Sequence, residues 1–361
     1  KHILLFSIPL ILGNMLQQLY NTVDSIVVGN SLGSEALAAV GSSSSLISLL
    51  ISFSMGAAAG AGVIVSQFIG AQNKKGIHES VHTALAIALI LGVVLTVLGI
   101  TLSPQILRWM GTPDEVMPQS VIYLRLYFAG LLFSVLYNMA SGILNAVGNS
   151  KRSLLYLAIA SFTNIVLDLL FIPVLKMGIA GAAIATDISQ VLSAVLCMLY
   201  LMRVDESYKV ALRKIRIHKE VAVRIIQVGV PTAIQNTVIS FANVLVQSSV
   251  NSYGALAMAG FAAYIKIDGF NILPVMSFSM AATTFAGQNY GAGNMDRVRK
   301  GMNVTVAMGV IYCLCIGGIL LLFSHPIIGV FSKDPTVIEY GVRAMWYFCP
   351  FYFMLAIMHG L

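Results

Sequence analysis

The chain has 361 residues, 58% of them hydrophobic and only 10% charged, with a formal net charge of +7. A soluble domain needs more polar surface than this, and the positive charge is confined to alternate loops, which excludes nucleic acid as its partner. The apolar residues fall in runs long enough to cross the ~30 Å hydrocarbon layer as helices. Lipid cannot satisfy free backbone amides, so the expected fold is an all-α polytopic membrane protein.

Ten runs are expected. The first, 3–30, carries Pro9, Tyr20 and Asp24. The second, 36–71, contains Gly56, Gly60 and Gly62 among alanines, and small residues four apart let a neighbouring backbone approach closely. The third is 77–103, and the fourth, 117–147, has Arg125 near its start. Asn164 and Asp168 lie in the fifth, 152–174, and Thr186 and Asp187 in the sixth, 178–202. A basic stretch, 203–220, is the one long polar segment. The seventh run, 221–251, carries Pro231, Gln235 and Asn236 but no acid within the apolar part. The eighth, 256–290, holds Lys266, Asp268, Asn271 and Pro274, and the proline is expected to kink it. Two further runs, 299–324 and 337–361, complete the set.

Two stretches read alike at a spacing of 221. Gln67-Phe-Ile-Gly70-Ala71 recurs as Gln288-Asn-Tyr-Gly291-Ala292, and Met110-Gly-Thr-Pro113-Asp-Glu-Val116 has a shorter echo in Phe331-Ser-Lys-Asp-Pro335-Thr-Val337. Arg125 and Gly142 match Arg343 and Gly360 at 218. A duplicated apolar chain points to a transporter made of two like bundles with a substrate path between them. The expected lobes are 1–202 (six helices) and 221–361 (four), joined by the basic segment 203–220. The second copy stops inside its fourth helix, so a full form of twelve helices in two six-helix bundles is expected. An even number of spans per copy gives both copies the same orientation.

Lys74, Lys75, Lys151, Arg152, the arginines and lysines of 203–224, Arg297, Arg299 and Lys300 all fall in or beside alternate loops. The opposite loops hold Arg108, Lys176 and Lys333 beside Glu35, Asp114, Glu115 and Asp334. This asymmetry places the N-terminus and the basic loops in the cytoplasm, and a bacterial inner membrane is the expected location of such a multi-pass protein. Cys197, Cys313, Cys315 and Cys349 lie in apolar runs without metal spacing and read as small core residues. A literal G-x-S-x-G, Gly29-Asn-Ser31-Leu-Gly33, lacks the strand–turn–helix setting that exposes a nucleophilic serine. No other catalytic pattern is present, so an enzyme is not expected.

Acidic residues within the bilayer carry the strongest functional signal, because each costs several kcal/mol unless paired or hydrated. They are Asp24, Asp168, Asp187 and Asp268. At ~1.5 Å per residue, Asp24 and Asp168 lie roughly 9 Å below the outer ends of their helices, and Thr186 roughly 12 Å. Asn164 shares the face of Asp168 one turn deeper. Two carboxylates, an amide and a hydroxyl at one level suit a hard monovalent cation such as Na+, or a proton shared between the acids. Asp187 points about 100° away from Thr186 and either lines the cavity or makes a structural bond. Tyr20, Lys266, Asp268 and Asn271 are further candidates for lining a substrate path. Lys266 and Asp268 at i, i+2 do not face each other.

These residues are also where the chain resembles the multidrug and toxic compound extrusion (MATE) family of antiporters, in its DinF-like bacterial branch. The matching pieces are Leu19-Tyr-Asn-Thr-Val-Asp24, the paired Gln-x-x-Gly-Ala segments, Asn164-Ile-Val-Leu-Asp168 and Gly181-Ala-Ala-Ile-Ala-Thr186. The resemblance implies a MATE/MOP-type fold and an exporter of small amphipathic, often cationic compounds, acting as a monomer in the bilayer without a cofactor. Inward proton or sodium flow would drive it, with Asp24, Asn164, Asp168 and Thr186 in the cation-coupling role. The family's other branch uses carboxylates in the C-terminal lobe, a site that looks absent or altered here. The alternative within the superfamily is a lipid-linked precursor flippase, which should offer basic residues to phosphate. A membrane enzyme or receptor has no constellation in its favour.

Overall fold

The computed structural model describes the backbone of residues 2–32, 34–110, 112, 114–251, 253–331 and 333–360. Side chains are described along these stretches except at 2, 34, 35, 37, 38, 41, 42, 44–46, 49, 244, 247, 248, 251 and 255. Gly33 of the serine motif, Pro113 of the repeat and the Glu35 side chain therefore lie outside the described residues.

The chain is all-helical. In order, the helices are α1 (His2–Leu32), α2 (Ser34–Gly70), α3 (Lys74–Trp109), α4 (Met117–Ala129), α5 (Leu131–Ala146), α6 (Ser150–Leu169) and α7 (Ile179–Arg203). They continue as α8 (Lys219–Asn251), α9 (Ala255–Gly291), α10 (Met295–Leu322), α11 (Ser324–Gly329), α12 (Pro335–Phe348) and α13 (Tyr352–Gly360). Nine segments among the described residues are long and apolar enough to span a membrane, and the bent pair α4–α5 makes a tenth. The ten expected spans are thus present, with differences at three of them.

First, the run at 117–147 is two helices meeting at 47° across Gly130. Second, α6 runs on into a π turn, Leu170–Val174, that contains Pro173. A proline lacks the N–H that would continue the α pattern, and the Leu175 N–H reaches back five residues to the Leu170 carbonyl at 2.9 Å. Third, the tenth span passes through a 3-10 turn at Cys349–Phe351, where Pro350 interrupts the ladder. By contrast α9 runs unbroken through Pro274.

Local caps set several boundaries. Asn73 accepts a hydrogen bond from the Gly76 N–H at 2.9 Å and starts α3. Asp334 does the same for the Thr336 N–H at 2.8 Å, with Pro335 in the first helical position of α12.

Contacts divide the chain into two compact units, Leu16–Thr237 and Lys1–Met15 with Val238–Leu361. The boundaries fall inside α1 and inside α8, so each of these helices contributes its first half to one unit and its second half to the other. The expected lobes, 1–202 and 221–361, divide the chain by helix count instead.

In the unit 16–237, the core gathers around Leu85, Leu107, Leu124, Phe128, Leu131, Met139 and Ile143, all fully buried. Glycines bring helix backbones together there. A side chain added at Gly60 would overlap the Ile225 carbonyl oxygen, and one at Gly56 would meet Gly229 and Ala233, so α2 and the first half of α8 touch backbone to backbone. Gly62 and Gly142 admit a similar approach of α2 to α5. Helices in lipid gain no hydrophobic drive from meeting each other, so such close packing supplies much of the attraction. In the other unit, Phe261, Tyr264, Val342, Met345 and Tyr352 form the core. The first half of α1 packs there through Ile3 and Leu10 against Ala281, and Asn14 donates to Ser277 Oγ at 3.0 Å. Large apolar residues such as Phe162, Val97 and Ile311 remain exposed outward, as a lipid-facing surface requires.

Candidate functional site

Within the unit 16–237, five helices surround a cavity of about 240 Å³. The second half of α1 supplies Gln17, Tyr20, Asn21 and Asp24, and α4 supplies Tyr123 and Tyr127. Ser134, Tyr137 and Asn138 come from α5, Thr186 and Gln190 from α7, and Ile47, Ser48 and Ile51 from α2. The α-helical repeat explains the selection: Tyr20 and Asp24, Tyr123 and Tyr127, and Thr186 and Gln190 are each four apart and share a face. The wall is therefore aromatic and amide-bearing, and Asp24 is its one charged side chain among the described residues. Aromatic faces beside a lone carboxylate attract cations through the ring quadrupole and the charge together.

Asn164 and Asp168 follow each other by one turn on α6 and are buried, with 1% and 0% exposure. Both side-chain atoms of Asn164, both carboxylate oxygens of Asp168 and Oδ1 of Asp24 are buried without a hydrogen-bond partner among the described residues. No lysine, arginine or histidine forms an ion pair with Asp24 or Asp168 among those residues. Leaving one such group unsatisfied costs about 1–3 kcal/mol, more if it is charged, so a cluster of them marks a place built for something else to bind. The two carboxylates act on each other electrostatically. Tyr123 lies within the same reach of Asp24, Asp168 and Asp187.

Several expected site residues meet here and others do not. Asp24 and Thr186 line one cavity, and Asp168 lies within Coulombic reach of Asp24. Thr186 also donates to the Ala182 carbonyl at 3.0 Å, which leaves its oxygen free to accept. Tyr20 is buried and lines the cavity. Asp187 does not line it: its carboxylate packs against the backbone of Gly130. Lys266, Asp268 and Asn271 belong to the other unit. Lys266 is exposed, whereas Asp268 faces the hydroxyls of Tyr264 and Tyr352, which bond each other at 3.2 Å. Asn271 is buried with an unpartnered Oδ1.

The cavity's Tyr123, Tyr127, Tyr137 and Asn138 were not singled out from the sequence. Their signal was available, since Tyr123 and Tyr127, like Ser134 and Asn138, are polar groups four apart in an apolar run. Among the described residues, no group of three or more His, Cys, Asp or Glu side chains has metal-ligand geometry. The unpartnered oxygens of Asp24, Asn164 and Asp168 are hard donors, of the kind that suits a monovalent cation or a proton.

The family model MatE matches residues 9–170 and again 231–360. The chain belongs to the MatE family, whose members are transporters. The two matches begin at Pro9 and Pro231, which stand at nearly the spacing of the repeat. Among curated relatives, the probable multidrug resistance protein YoeA of Bacillus subtilis is 34% identical, with 94% of this chain and 75% of that protein covered. YpnP of the same organism, also a probable multidrug resistance protein, is 33% identical over 100% of this chain and 81% of its own length. Among solved structures, a MOP superfamily transporter from Pyrococcus furiosus superposes with a TM-score of 0.92 at 27% identity, covering 100% of this chain and 82% of that one. An outward-facing multidrug resistance MATE transporter gives 0.90 at 26%, with 100% and 83% covered. This MatE chain is therefore a multi-pass membrane protein with the MATE/MOP helical fold.

Proposed function

We propose that this MatE chain exports small amphipathic, cation-bearing organic compounds by antiport, driven by inward flow of protons or sodium ions. The observation that carries the reading is the set of buried, unpartnered oxygens on Asp24, Asn164 and Asp168, with Asp24 exposed to a cavity free of basic lining among the described residues. Asp24 faces two ways in this scheme. Its carboxylate attracts a cationic substrate held against Tyr20, Tyr123, Tyr127 and Tyr137. It also serves, with Asp168 and Asn164, as a ligand to the coupling ion. Neutralising the carboxylate with one cation weakens its hold on the other, and this negative coupling is what antiport requires.

A volume near 240 Å³ is below the ~300–1,000 Å³ typical of clefts that enclose a drug-sized ligand. It accommodates a hydrated ion or one ring system, so a whole drug requires the walls to move. Related MATE structures have been solved in bent and straight conformations, which supports alternating access as the way the walls do so. The multidrug names of the relatives support the substrate class. The lack of basic lining among the described residues speaks against a phosphate-bearing, lipid-linked substrate. The charge asymmetry of the loops supports a bacterial inner membrane with the N-terminus in the cytoplasm.

The test is efflux of a cationic dye from proteoliposomes of the intact transporter under an imposed proton or sodium gradient. Asp24→Asn keeps the shape of the side chain and removes its charge, and it should reduce gradient-driven export at least ~10-fold, as expected for loss of an essential charged ligand. Export by this correctly inserted variant at the unsubstituted rate would overturn the reading.

A further inference from the structure

The bend between α4 and α5 has no proline to cause it, since no proline follows Pro118 before residue 147. Sharp kinks otherwise arise at Gly/Ser pairs, at π-bulges or where a foreign group enters the helical ladder, and Gly130 stands between Ala129 and Leu131 with no π turn there. At Gly130 that group is on the page. The Gly130 N–H points at the Phe128 carbonyl, two residues back, and not at a partner four residues back. Its carbonyl accepts instead from Phe133 and Ser134, the start of α5. The carboxylate of Asp187, one residue after Thr186 on α7, lies against this break, within hydrogen-bonding reach of the Gly130 backbone. A methyl group built on Gly130 would overlap the Asp187 carboxylate. Glycine at 130 is therefore what lets the acid in.

The position of the break matters because the cavity is lined from both sides of it. Tyr123 and Tyr127 come from α4, before the bend, and Ser134, Tyr137 and Asn138 from α5, after it. We propose that Asp187 is a positioning residue: its carboxylate takes the place of the helical partner lost at Gly130, holds the α4–α5 bend, and so sets how far the two tyrosine-bearing walls of the cavity stand apart. What the bend needs from Asp187 is an acceptor oxygen of the right reach, and the charge is secondary. In this Asp187 differs from Asp24, whose charge is the essential property. A helix broken inside lipid must have its freed backbone groups re-satisfied, and a side chain from a neighbouring helix does so here.

The inference rests on the transport reading only where activity is measured, so the test has a separate structural arm. Spin labels are placed at Ile122, exposed on α4, and at Lys151, exposed in the first turn of α6, which follows α5 after three residues, with the native cysteines replaced. The distance is read by pulsed EPR in unsubstituted protein and in Asp187→Asn, Asp187→Ala and Gly130→Ala. Asp187→Asn retains an acceptor oxygen and should keep the distance, with export within about twofold of normal. Asp187→Ala should shift or broaden the distance and reduce export ~10-fold or more, since small misplacements of binding groups are costly. Gly130→Ala, which displaces the carboxylate, should give the same shift and serves in place of Asp187→Ala if that variant does not insert. An unchanged distance in Asp187→Ala or in Gly130→Ala overturns the proposal, as does an Asp187→Asn variant that shifts as far as Asp187→Ala. If the distances behave as stated while unsubstituted protein exports nothing, the bend assignment holds and the transport reading fails.

Discussion

Asp24 and Asp168 approach one place from different helices, and the sequence announced both of them for the same reason. A carboxylate in an apolar span is expensive enough that it is retained for a purpose. Asn164 was legible as their companion because one helical turn separates it from Asp168. Asp187 was legible as an acid but not as the partner of Gly130, because direction around a helix says nothing of which distant backbone waits there. Three of the cavity tyrosines, Tyr123, Tyr127 and Tyr137, went unremarked for a related reason: an aromatic ring in a membrane span is ordinary until its facing neighbours are known. If Asp24 and Asp168 serve one ion, their effects on ion dependence cannot be independent. In a double-mutant cycle of Asp24→Asn and Asp168→Asn, scored by the sodium or pH dependence of efflux, a coupling energy of ~0.5–3 kcal/mol is expected for residues sharing a ligand. Asn164→Ala and Thr186→Ala should each shift the same dependence. Additive effects within experimental error would separate the acids into two unrelated sites.

Individual helices show where periodicity reads well and where it stops. The ten apolar runs predicted ten spans because length and hydropathy alone decide that question. The close approach foreseen at Gly56 and Gly60 exists, yet the identity of the facing helix, α8 through Gly229, needed the fold. The α4–α5 break escaped notice because one glycine inside an apolar run is common in membrane helices. The basic segment before α8 was read only as a polar join between the lobes, and the structure shows it anchored to α3. Buried His82 on α3 uses Nδ1 towards the His78 carbonyl at 2.7 Å, while its Nε2 accepts from the Ala211 N–H at 3.1 Å. Only the neutral Nδ1–H tautomer makes both bonds. His218 is held by Thr83 and Arg216 in a like manner, and His78, Glu79 and Lys214 also face this group. Losing the ring's acceptor should free this amide. Amide exchange at Ala211, corrected for intrinsic rate, should therefore rise in His82→Ala at unchanged pH. An exchange rate equal to that of the unsubstituted protein would show that the ring does not hold the segment.

At the scale of the whole chain, duplication gives two bundles, and charge then distinguishes them. The repeat was visible in short segments, and the family model matches both halves separately. The division of α1 and α8 between the compact units was not visible, because a continuous apolar helix carries no mark of where its neighbours change. Loop charge predicts that single cysteines at Lys75, Lys151 or Lys300 are labelled only from the cytoplasm, and one at Lys333 only from outside. Outside labelling at Lys151 would remove the basis of the proposed orientation. The two copies also differ in their acids. Adding the repeat spacing to Asp24 leads near Val246, in a stretch with Asn243 and Gln247 (its side chain outside the described residues) and no carboxylate. Subtracting it from Lys266 and Asp268 leads near Ser45 and Ile47, so that pair has no counterpart either. Asp268 stands with the hydroxyls of Tyr264 and Tyr352 and is not among the residues that line the cavity with Asp24. A carboxylate already satisfied by two phenols is a poorer ion ligand than one whose oxygens are unpartnered, as those of Asp168 are. Coupling should therefore reside in the unit 16–237, and Asp268 should act on the substrate. Asp268→Asn is expected to change which dyes are exported, or their apparent affinity, while the ion dependence of efflux stays that of the unsubstituted protein. An ion dependence displaced as far by Asp268→Asn as by Asp24→Asn would mean that both copies bind the coupling ion and that this division of labour does not exist.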